Sequence, residues 1–271
     1  MIPCGVPIAI ALLSLVACSP GGTQPSRTGR TTGVRPGSSS AAASARLVWR
    51  HRRLGRSARG RPIVAYKLGN AAASERVLVV GCIHGTECAG IPIAWRLVRG
   101  SLPREFELLV IPNVNPDGFA AGTRQNARGV DLNRNFPYHW VHEGYPGSTF
   151  YSGPRPLSEP ESRIARRYVL YHRPDITFWF HQHMNLVWAS GGNFALQRCF
   201  ARLAGIRFRR LPAISGSANN WINHTLVGHT STVVELPGGT LSGPQVTRFA
   251  HAVRVLGRWD AGRPDDGPCP A

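Results

Sequence analysis

A histidine and a glutamate three residues apart follow a short apolar run in the sequence V-L-V-V-G-C-I-H-G-T-E at residues 77–87. The imidazole of His84 and the carboxylate of Glu87 are both zinc ligands, and a catalytic zinc takes about three protein ligands and keeps one position for water. The pair therefore predicts two ligands of a metal site whose third ligand lies elsewhere in the chain. Taken alone, such a pair is more often a loop histidine and a surface glutamate.

The residues around this pair predict a strand that leads into a helix. Residues 77–80 are apolar without polar alternation, which is typical of a strand buried on both faces, usually a parallel one. Residues 90–98 place apolar side chains on one face of a helix. His84 and Glu87 would then lie at the carboxyl end of a strand, where open α/β sheets bind ligands.

Strand and helix patterns alternate along the rest of the chain, which predicts one α/β domain with a mixed, largely parallel twisted sheet flanked by helices. Polar residues follow four of the predicted strands, so they would meet at one sheet edge: His84 with Glu87, Asn115 with Asp117, His181, and Glu235. Strands are predicted at 47–54, 61–68, 77–80, 106–111, 176–180 and 231–234, and helices at 90–98, 158–171, 193–203 and 245–256.

Two histidines are candidates for the third metal ligand. His181 directly follows the apolar run 176–180, and His183 would share its strand face if the strand continued. We favour His181 because it ends the apolar run. We interpret four other histidines as surface or rim residues: His139, His142, His224 and His229.

In this order, the motifs resemble those of the zinc carboxypeptidases of the carboxypeptidase A type, over residues 47–259. Within that family the chain is similar to the bacterial murein peptide amidases, single-domain enzymes that trim cell-wall peptides. The motifs are G-R-P-I at 60–63, H-G-T-E at 84–87, N-P-D-G at 115–118, R-Q-N-A-R-G-V-D-L-N-R-N-F-P at 124–137, Y-S-G-P-R-P-L-S-E-P-E at 151–161, the strand-closing histidine at 181, and V-V-E-L at 233–236.

The resemblance implies a zinc site and a catalytic glutamate. His84, Glu87 and His181 would bind one zinc ion per chain, and Glu235 would be the general base and acid acting on the attacking water. This agrees with the chemistry of the residues themselves, since zinc lowers the pKa of bound water and a nearby carboxylate can relay its proton to the leaving amine.

The resemblance also assigns the polar segment 124–137. Arg124 would polarise the scissile carbonyl and stabilise the oxyanion, and Asn133 and Arg134 would hold the terminal carboxylate of the substrate. Asp131 would orient the imidazole of His84 from behind. We interpret Arg128 as a surface residue.

One feature departs from the digestive enzymes of the family, which carry a tyrosine on a mobile loop about twenty residues before the catalytic glutamate. No tyrosine occurs between Tyr171 and Glu235. Capping of the substrate by tyrosine is therefore not expected here, and Trp221 is a candidate wall or core residue. Asn219, Asn220 and His224 would suit a polar substrate side chain, such as that of diaminopimelate.

The composition indicates a strongly basic globular domain. The 271 residues carry a net charge of +18, 42% of them are hydrophobic, and Lys67 is the only lysine. This charge favours anionic surroundings such as a membrane surface or acidic wall polymers. The sequence has no zinc-knuckle spacing and no aromatic-basic RNA-binding motif, so we expect no nucleic-acid partner.

The first part of the chain predicts export and anchoring. Residues 6–17 are an apolar run of the length of a signal-peptide core, and they end in L-V-A-C, which resembles the bacterial lipobox with lipid on Cys18. No Lys or Arg precedes the run, and an ordinary secretory signal or a buried strand is the alternative. We predict a signal peptide at 1–17, a lipid-anchored flexible tether at 18–45, and an extracytoplasmic catalytic domain at 46–271.

Four further cysteines follow Cys18. An even number outside the cytoplasm suggests disulfides. A bond from Cys82 to Cys88 would clamp the loop that carries His84 and Glu87, and one from Cys199 to Cys269 would fasten the tail. We do not interpret these cysteines as zinc ligands.

We therefore predict a monomeric zinc peptidase or amidase that hydrolyses an amide bond next to a free carboxylate, in a peptide or a cell-wall peptide. One alternative is a deacylase of small N-acyl amino acids on the same fold. A different class of alternative is a wall-binding lipoprotein without catalysis.

Overall fold

The computed structural model describes residues 45–259 and Cys269, and in it seven strands form one mixed sheet with helices on both faces. The strands are β1 (Leu47–Arg56), β2 (Pro62–Asn70), β3 (Arg76–Val80), β4 (Glu107–Ile111), β5 (Ile176–Ala189), β6 (Arg207–Arg210) and β7 (Thr230–Pro237). The helices are α1 (Gly90–Val98), α2 (Pro116–Ala121), α3 (Pro160–His172), α4 (Phe194–Ala204), α5 (Ala218–Thr225) and α6 (Gly243–Arg258), with a 3-10 turn at Leu132–Arg134.

The sheet places β3, the strand before His84, near its centre. The order is β1-β2-β4-β3-β5-β6, and β7 pairs with β5. β1 and β2 form an antiparallel hairpin, β2 pairs antiparallel with β4, and β3 is parallel to both of its neighbours, β4 and β5. The predicted α/β fold with a mixed sheet is confirmed.

The lack of polar alternation in β3 reflects burial of both its faces. Val77 and Val79 belong to the hydrophobic core that includes residues of α1, α4 and α6. Leu78 and Val80 point the other way and pack with residues of α3 and α5. Because alternate strand residues face opposite sides of a sheet, both sets must be apolar.

β5 is longer than the predicted run 176–180, and it pairs with β7 in two ways. In the first part of β5, residue numbers rise along both strands, and His181 lies opposite Glu235. Between His183 and Leu186 the direction of β5 relative to β7 reverses, so Leu186 lies opposite Glu235 as well. Asn185 has a positive φ of 54° within this reversal. Glu235 therefore has strand neighbours on both sides, one of which is a predicted metal ligand.

The predicted signal peptide at 1–17, the lipidation site Cys18 and the tether up to residue 44 lie outside the described residues. Within residues 45–259, no helix has the length and apolar character needed to cross a bilayer. The sequence did not predict α2, α5 and β6, each of which has eight residues or fewer.

Candidate metal centre and active site

The loop between β3 and α1 carries His84 and Glu87, and a close approach of two backbones fixes its path. A Cβ atom at Gly85 would lie 2.1 Å from the backbone of Gly118 in α2, so only glycine fits. The Asn115 side chain accepts a hydrogen bond from the Gly118 backbone at 2.9 Å and donates one to the carbonyl of Ile83 at 3.0 Å. The N-P-D-G motif therefore caps α2 and positions the metal-binding loop.

Asp117 has a supporting role as well. Its carboxylate accepts from the backbone of Arg59 and from the guanidinium of Arg61, each at 2.8 Å. These contacts tie α2 to the turn between β1 and β2. Asn115 and Asp117 thus support the metal-binding loop from α2, whereas the sequence pattern had grouped them with the residues at the carboxyl edge of the sheet.

Three donor atoms converge at the carboxyl ends of β3 and β5. Nδ1 of His84 lies 2.9 Å from Oε2 of Glu87, and Nδ1 of His181 lies 3.1 Å from both of these atoms. Tetrahedral zinc bonds of about 2.1 Å place neighbouring donors about 3.4 Å apart, so the three atoms can share one ion after a small relaxation. The donor set of two imidazoles and one carboxylate also suits zinc.

His183, the rival candidate, is exposed at the point where β5 reverses. Within residues 45–259, the donor group that could hold a metal ion consists of His84, Glu87 and His181. Both histidines of that group are 2% exposed. Burial of two imidazoles and a carboxylate around a common point is expensive unless a partner balances them, which a cation would do.

Asp131 contacts the far side of His84. Its Oδ1 atom lies 2.9 Å from Nε2 of His84, so this carboxylate accepts a hydrogen bond from the Nε2–H group and leaves Nδ1 free to bind a metal. Burial raises the pKa of Asp131, but the charges of His84 and Arg124 outweigh burial and hold the pKa below its usual range. Asp131 thus lies against the imidazole that it is expected to orient.

Arg124 lies between two of these carboxylates. Its guanidinium donates to Oδ2 of Asp131 at 3.0 and 3.1 Å and contacts Oε1 of Glu87. Arg134 approaches the same Asp131 oxygen at 3.9 Å. Two guanidiniums thus lie beside the metal donors and line the same cavity.

Asn133 is held by the start of α5. Its Oδ1 atom accepts from the backbone of Ala218 at 3.0 Å. Two residues before Ala218, Gly216 lets the chain pass close to the Arg134 backbone, because its φ of +65° and a Cβ position 2.2 Å from the Arg134 carbonyl exclude a side chain there. Asn133 and Arg134 both line the cavity.

Glu235 lies on β7 beside His181 and faces the same cavity. Burial, together with the charge of Glu87, raises its pKa to about 7. Among the described residues, its Oε2 atom is buried without a hydrogen-bond partner. A half-buried carboxyl group with such a pKa can exchange protons near neutral pH.

The donors and arginines open into a cavity of about 320 Å³. One wall carries Asn219, whose Oδ1 atom is buried and has no partner within the described part of the chain. Asn220 also lines the cavity, but it is engaged with Ser190 and Ile214 at 2.8 Å each. His224 is exposed, as expected of a surface histidine, and its ring stacks on Tyr138 at 3.8 Å; it is not among the residues that line this cavity with Asn219 and Asn220.

Several cavity residues were missed by sequence reasoning. Phe150 lies over both guanidiniums, with its ring centre 4.9 Å from Cζ of Arg134 and 5.7 Å from Cζ of Arg124. Gln182 donates to the carbonyl of Gly239 at 2.8 Å and accepts from the backbone of Ala89 at 3.1 Å. The one sequence signal for each was its position directly beside a motif residue, Tyr151 or His181.

The structure pairs the four cysteines of the domain as two disulfides. Cys82 is bonded to Cys88 across the loop of His84, and Cys199 of α4 is bonded to Cys269. Trp221 is buried and stacks on Phe136 at 5.5 Å, so it is a core residue and not a pocket wall.

Comparison with known proteins gives the chain a family. The model of the family described as "Zinc carboxypeptidase" matches residues 42–195, more than half of the chain. This range contains the three metal donors but ends before Glu235.

Curated relatives are found among carboxypeptidases and amidases. The chain is 28% identical to carboxypeptidase A6 of Homo sapiens in an alignment 221 positions long that covers 62% of this chain and 51% of that protein. It is 33% identical to murein peptide amidase A of Escherichia coli (strain K12) in an alignment 141 positions long that covers 47% of this chain and 57% of that protein. The chain thus spans about half the length of these relatives.

Solved structures share the fold. Carboxypeptidase A from Helicoverpa armigera aligns with a TM-score of 0.67 and 21% identity, over 78% of this chain and 69% of that chain. The murein-tripeptide amidase MpaA from Escherichia coli O157 aligns with a TM-score of 0.63 and 24% identity, over 78% of this chain and 92% of that chain.

Proposed function

Because the chain belongs to the zinc carboxypeptidase family, we propose that it is a zinc-dependent hydrolase of an amide bond next to a free carboxylate. The observation that carries the proposal is the convergence of the Nδ1 atoms of His84 and His181 with Oε2 of Glu87, within 3.1 Å of one another. A general base and two guanidiniums line the same cavity.

His84, Glu87 and His181 would hold the zinc ion, with Asp131 fixing the orientation of the first imidazole. Bound there, zinc would polarise the substrate carbonyl and lower the pKa of a water molecule. The three donors leave one side of the cluster facing the cavity, where substrate and water enter.

Glu235 takes the proton of the attacking water and passes it to the leaving amine. Its position beside His181 brings the carboxylate next to the metal donors, and its raised pKa of about 7 suits a group that must both accept and donate a proton. The chain therefore retains the groups needed for catalysis, which argues against a wall-binding protein without activity.

Arg124 and Arg134 would each bind a different negatively charged group of the reacting substrate. Arg124 contacts the metal ligand Glu87 and would stabilise the oxyanion that develops on the carbonyl. Arg134, adjacent to Asn133, would bind the free carboxylate, for which a guanidinium offers two parallel donors.

We further propose a cell-wall peptide as the substrate. The relation to murein peptide amidase A supports this choice. So does Asn219, whose unpaired Oδ1 atom in the cavity wall can accept a hydrogen bond from the amino group of a polar side chain such as diaminopimelate. Asn219→Leu should lower kcat/KM for a diaminopimelate peptide more than for a peptide that ends in an apolar residue.

The test of the proposed function offers the purified protein two substrates, with zinc and with a chelator. One is L-Ala–γ-D-Glu–diaminopimelate, the other is a mixture of linear peptides, and mass spectrometry identifies the products. Chelator-sensitive release of diaminopimelate is the expected result. Loss of single C-terminal residues from linear peptides would make the protein a general carboxypeptidase, and failure to cut either would favour the deacylase of small N-acyl amino acids.

We propose an extracytoplasmic location with a lipid anchor on Cys18. The support is the lipobox-like sequence at 15–18 and the two disulfides of the domain, a bond type that persists in oxidising compartments. Metabolic labelling with a radioactive fatty acid should label the protein and should not label Cys18→Ser. Equal labelling of both proteins would show that the lipid is attached to a residue other than Cys18.

A further inference from the structure

A cavity with a greater volume than that of the candidate active site lies elsewhere among the described residues. It has a volume of about 790 Å³ and forms a groove between the hairpin β1–β2 and helix α3. The groove and the active-site cavity share no lining residue. Nothing in the proposed hydrolysis uses it, so its composition needs a separate explanation.

The sheet side of the groove presents regularly spaced arginines. Arg50 and Arg52 line it from the edge strand β1, and both are exposed. Residues two apart on a strand share a face and lie about 7 Å from each other. Within residues 45–259, neither forms an ion pair with a carboxylate. Lys67, opposite Arg50, is balanced by buried Glu107 at 2.7 Å, so the free charge belongs to the arginines.

Helix α3 adds a third arginine and two rings that carry polar atoms. Arg167 donates to the carbonyl of Leu54 at 3.2 Å, which holds its guanidinium against the hairpin. Tyr171 is 81% exposed, although exposing an aromatic ring to water is unfavourable compared with burying it. His172 lines the groove beside it; burial, followed by the charges of Lys67 and Arg76, lowers its pKa to about 4, so the ring is neutral near pH 7.

We propose that this groove, lined by Arg50, Arg52 and Arg167, binds a chain of phosphate or phosphodiester groups. Guanidiniums bind phosphate oxygens bidentately and keep their charge at all physiological pH values. Arginines spaced along a strand suit repeated anionic groups better than a single ion. No aspartate or glutamate among the described residues lines the groove. A bound polymer would hold the domain near its substrate while the metal centre stays open.

The test measures binding of fluorescently labelled inorganic polyphosphate to the full chain by anisotropy. The double variant Arg50→Glu/Arg52→Glu should raise the Kd at least about tenfold, because two charge-assisted contacts become repulsive. The matched control is Arg53→Glu/Arg99→Glu, which changes the net charge equally but alters residues outside the groove. The control should change the Kd less than about twofold, measured near 0.15 M salt to screen long-range charge.

Three outcomes would overturn the proposal. The first is that the wild type does not bind polyphosphate, and the second is that both double variants weaken binding equally. The third is that the protein binds phosphatidylglycerol vesicles and polyphosphate does not compete with them, which would mean that the arginines bind a membrane surface instead. If the double reversal impairs folding, the exposed single change Arg52→Ala replaces it and should raise the Kd about threefold. Hydrolysis of a small soluble substrate should be unchanged in Arg52→Ala, so this test stands apart from the proposed function.

Discussion

At the scale of single residues, Glu235 is the group that the proposed mechanism uses most directly. It lies opposite His181 on β7, its Oε2 atom has no partner within the described residues, and it can act as a base without disturbing the metal donors. General acid–base groups typically contribute about 10² to 10⁴-fold to the rate. A neutral amide of the same shape cannot accept the proton.

We therefore expect Glu235→Gln to lower kcat by at least about 10²-fold. Zinc content, measured by atomic absorption, should stay near one per chain, because the substitution alters none of the three donors. Asp131→Asn provides the contrast, since it should weaken zinc affinity by about 10 to 100-fold. Full activity of Glu235→Gln would remove the glutamate from the mechanism.

Phe150 gives a second prediction at this scale. Its ring is 43% exposed and covers the guanidiniums of Arg124 and Arg134, in a chain with no tyrosine between Tyr171 and Glu235. Cation–π contacts contribute about 0.5 to 2 kcal/mol, and the ring also keeps water from the two charges. Phe150 should therefore strengthen carboxylate binding by orienting the arginines.

Phe150→Ala should raise KM by about 2 to 30-fold and change kcat less, because the ring acts on binding of the carboxylate. Phe150→Tyr should restore KM, and Phe150→Leu should restore it partly, since leucine fills space without a π face. The measurement is steady-state kinetics on the same carboxylate-bearing substrate. An unchanged KM in the alanine variant would contradict this role.

At the scale of elements, the sequence predicted those parts whose signals are local. The strand β3 was predictable because its residues alternate between two apolar cores, and the loop after it carries His84 and Glu87 at the expected edge. The reversal of β5 was not predictable, because it depends on pairing with β7, which lies far along the chain. Phe150 was missed because its position beside the motif residue Tyr151 does not encode its contacts with Arg124 and Arg134.

Helix α3 supports a prediction about pH. Burial and the charges of Lys67 and Arg76 lower the pKa of His172 to about 4, below the 6.5 expected in the unfolded chain. Between these values the unfolded state binds more protons than the folded state. The free energy of unfolding should therefore decrease as pH falls from about 6.5 to about 4, by about 1 to 3 kcal/mol from this residue.

His172→Gln should remove that part of the pH dependence. The measurement is urea unfolding followed by circular dichroism at several pH values between the two limits. His251→Gln, an exposed histidine on α6, is the matched control and should keep the slope of the wild type. An identical slope in His172→Gln would show that other groups control the acid sensitivity.

At the scale of the whole molecule, one covalent link joins distant parts of the chain. Cys199 on α4 is bonded to Cys269, 70 residues later, and both pack against the core that includes residues of α1, α4 and α6. A crosslink that closes a loop of this length reduces the entropy of the unfolded chain by about 4 kcal/mol in the chain-entropy model, although measured values are commonly about 2 to 4. The link therefore contributes to the stability of the helical layer formed by α1, α4 and α6, away from the metal centre.

Replacement of both cysteines, Cys199→Ser/Cys269→Ser, should lower the free energy of unfolding by about 2 to 4 kcal/mol. Zinc affinity and KM should stay unchanged, because neither cysteine lines the active-site cavity. Cys82→Ser/Cys88→Ser should do the reverse: that bond spans a sequence separation of only 6, so its entropic contribution is smaller, but the loop it closes carries His84 and Glu87. Chemical unfolding and zinc titration of both variants separate the two effects, and loss of zinc affinity in the first variant would contradict the assignment of a purely stabilising role to the Cys199–Cys269 bond.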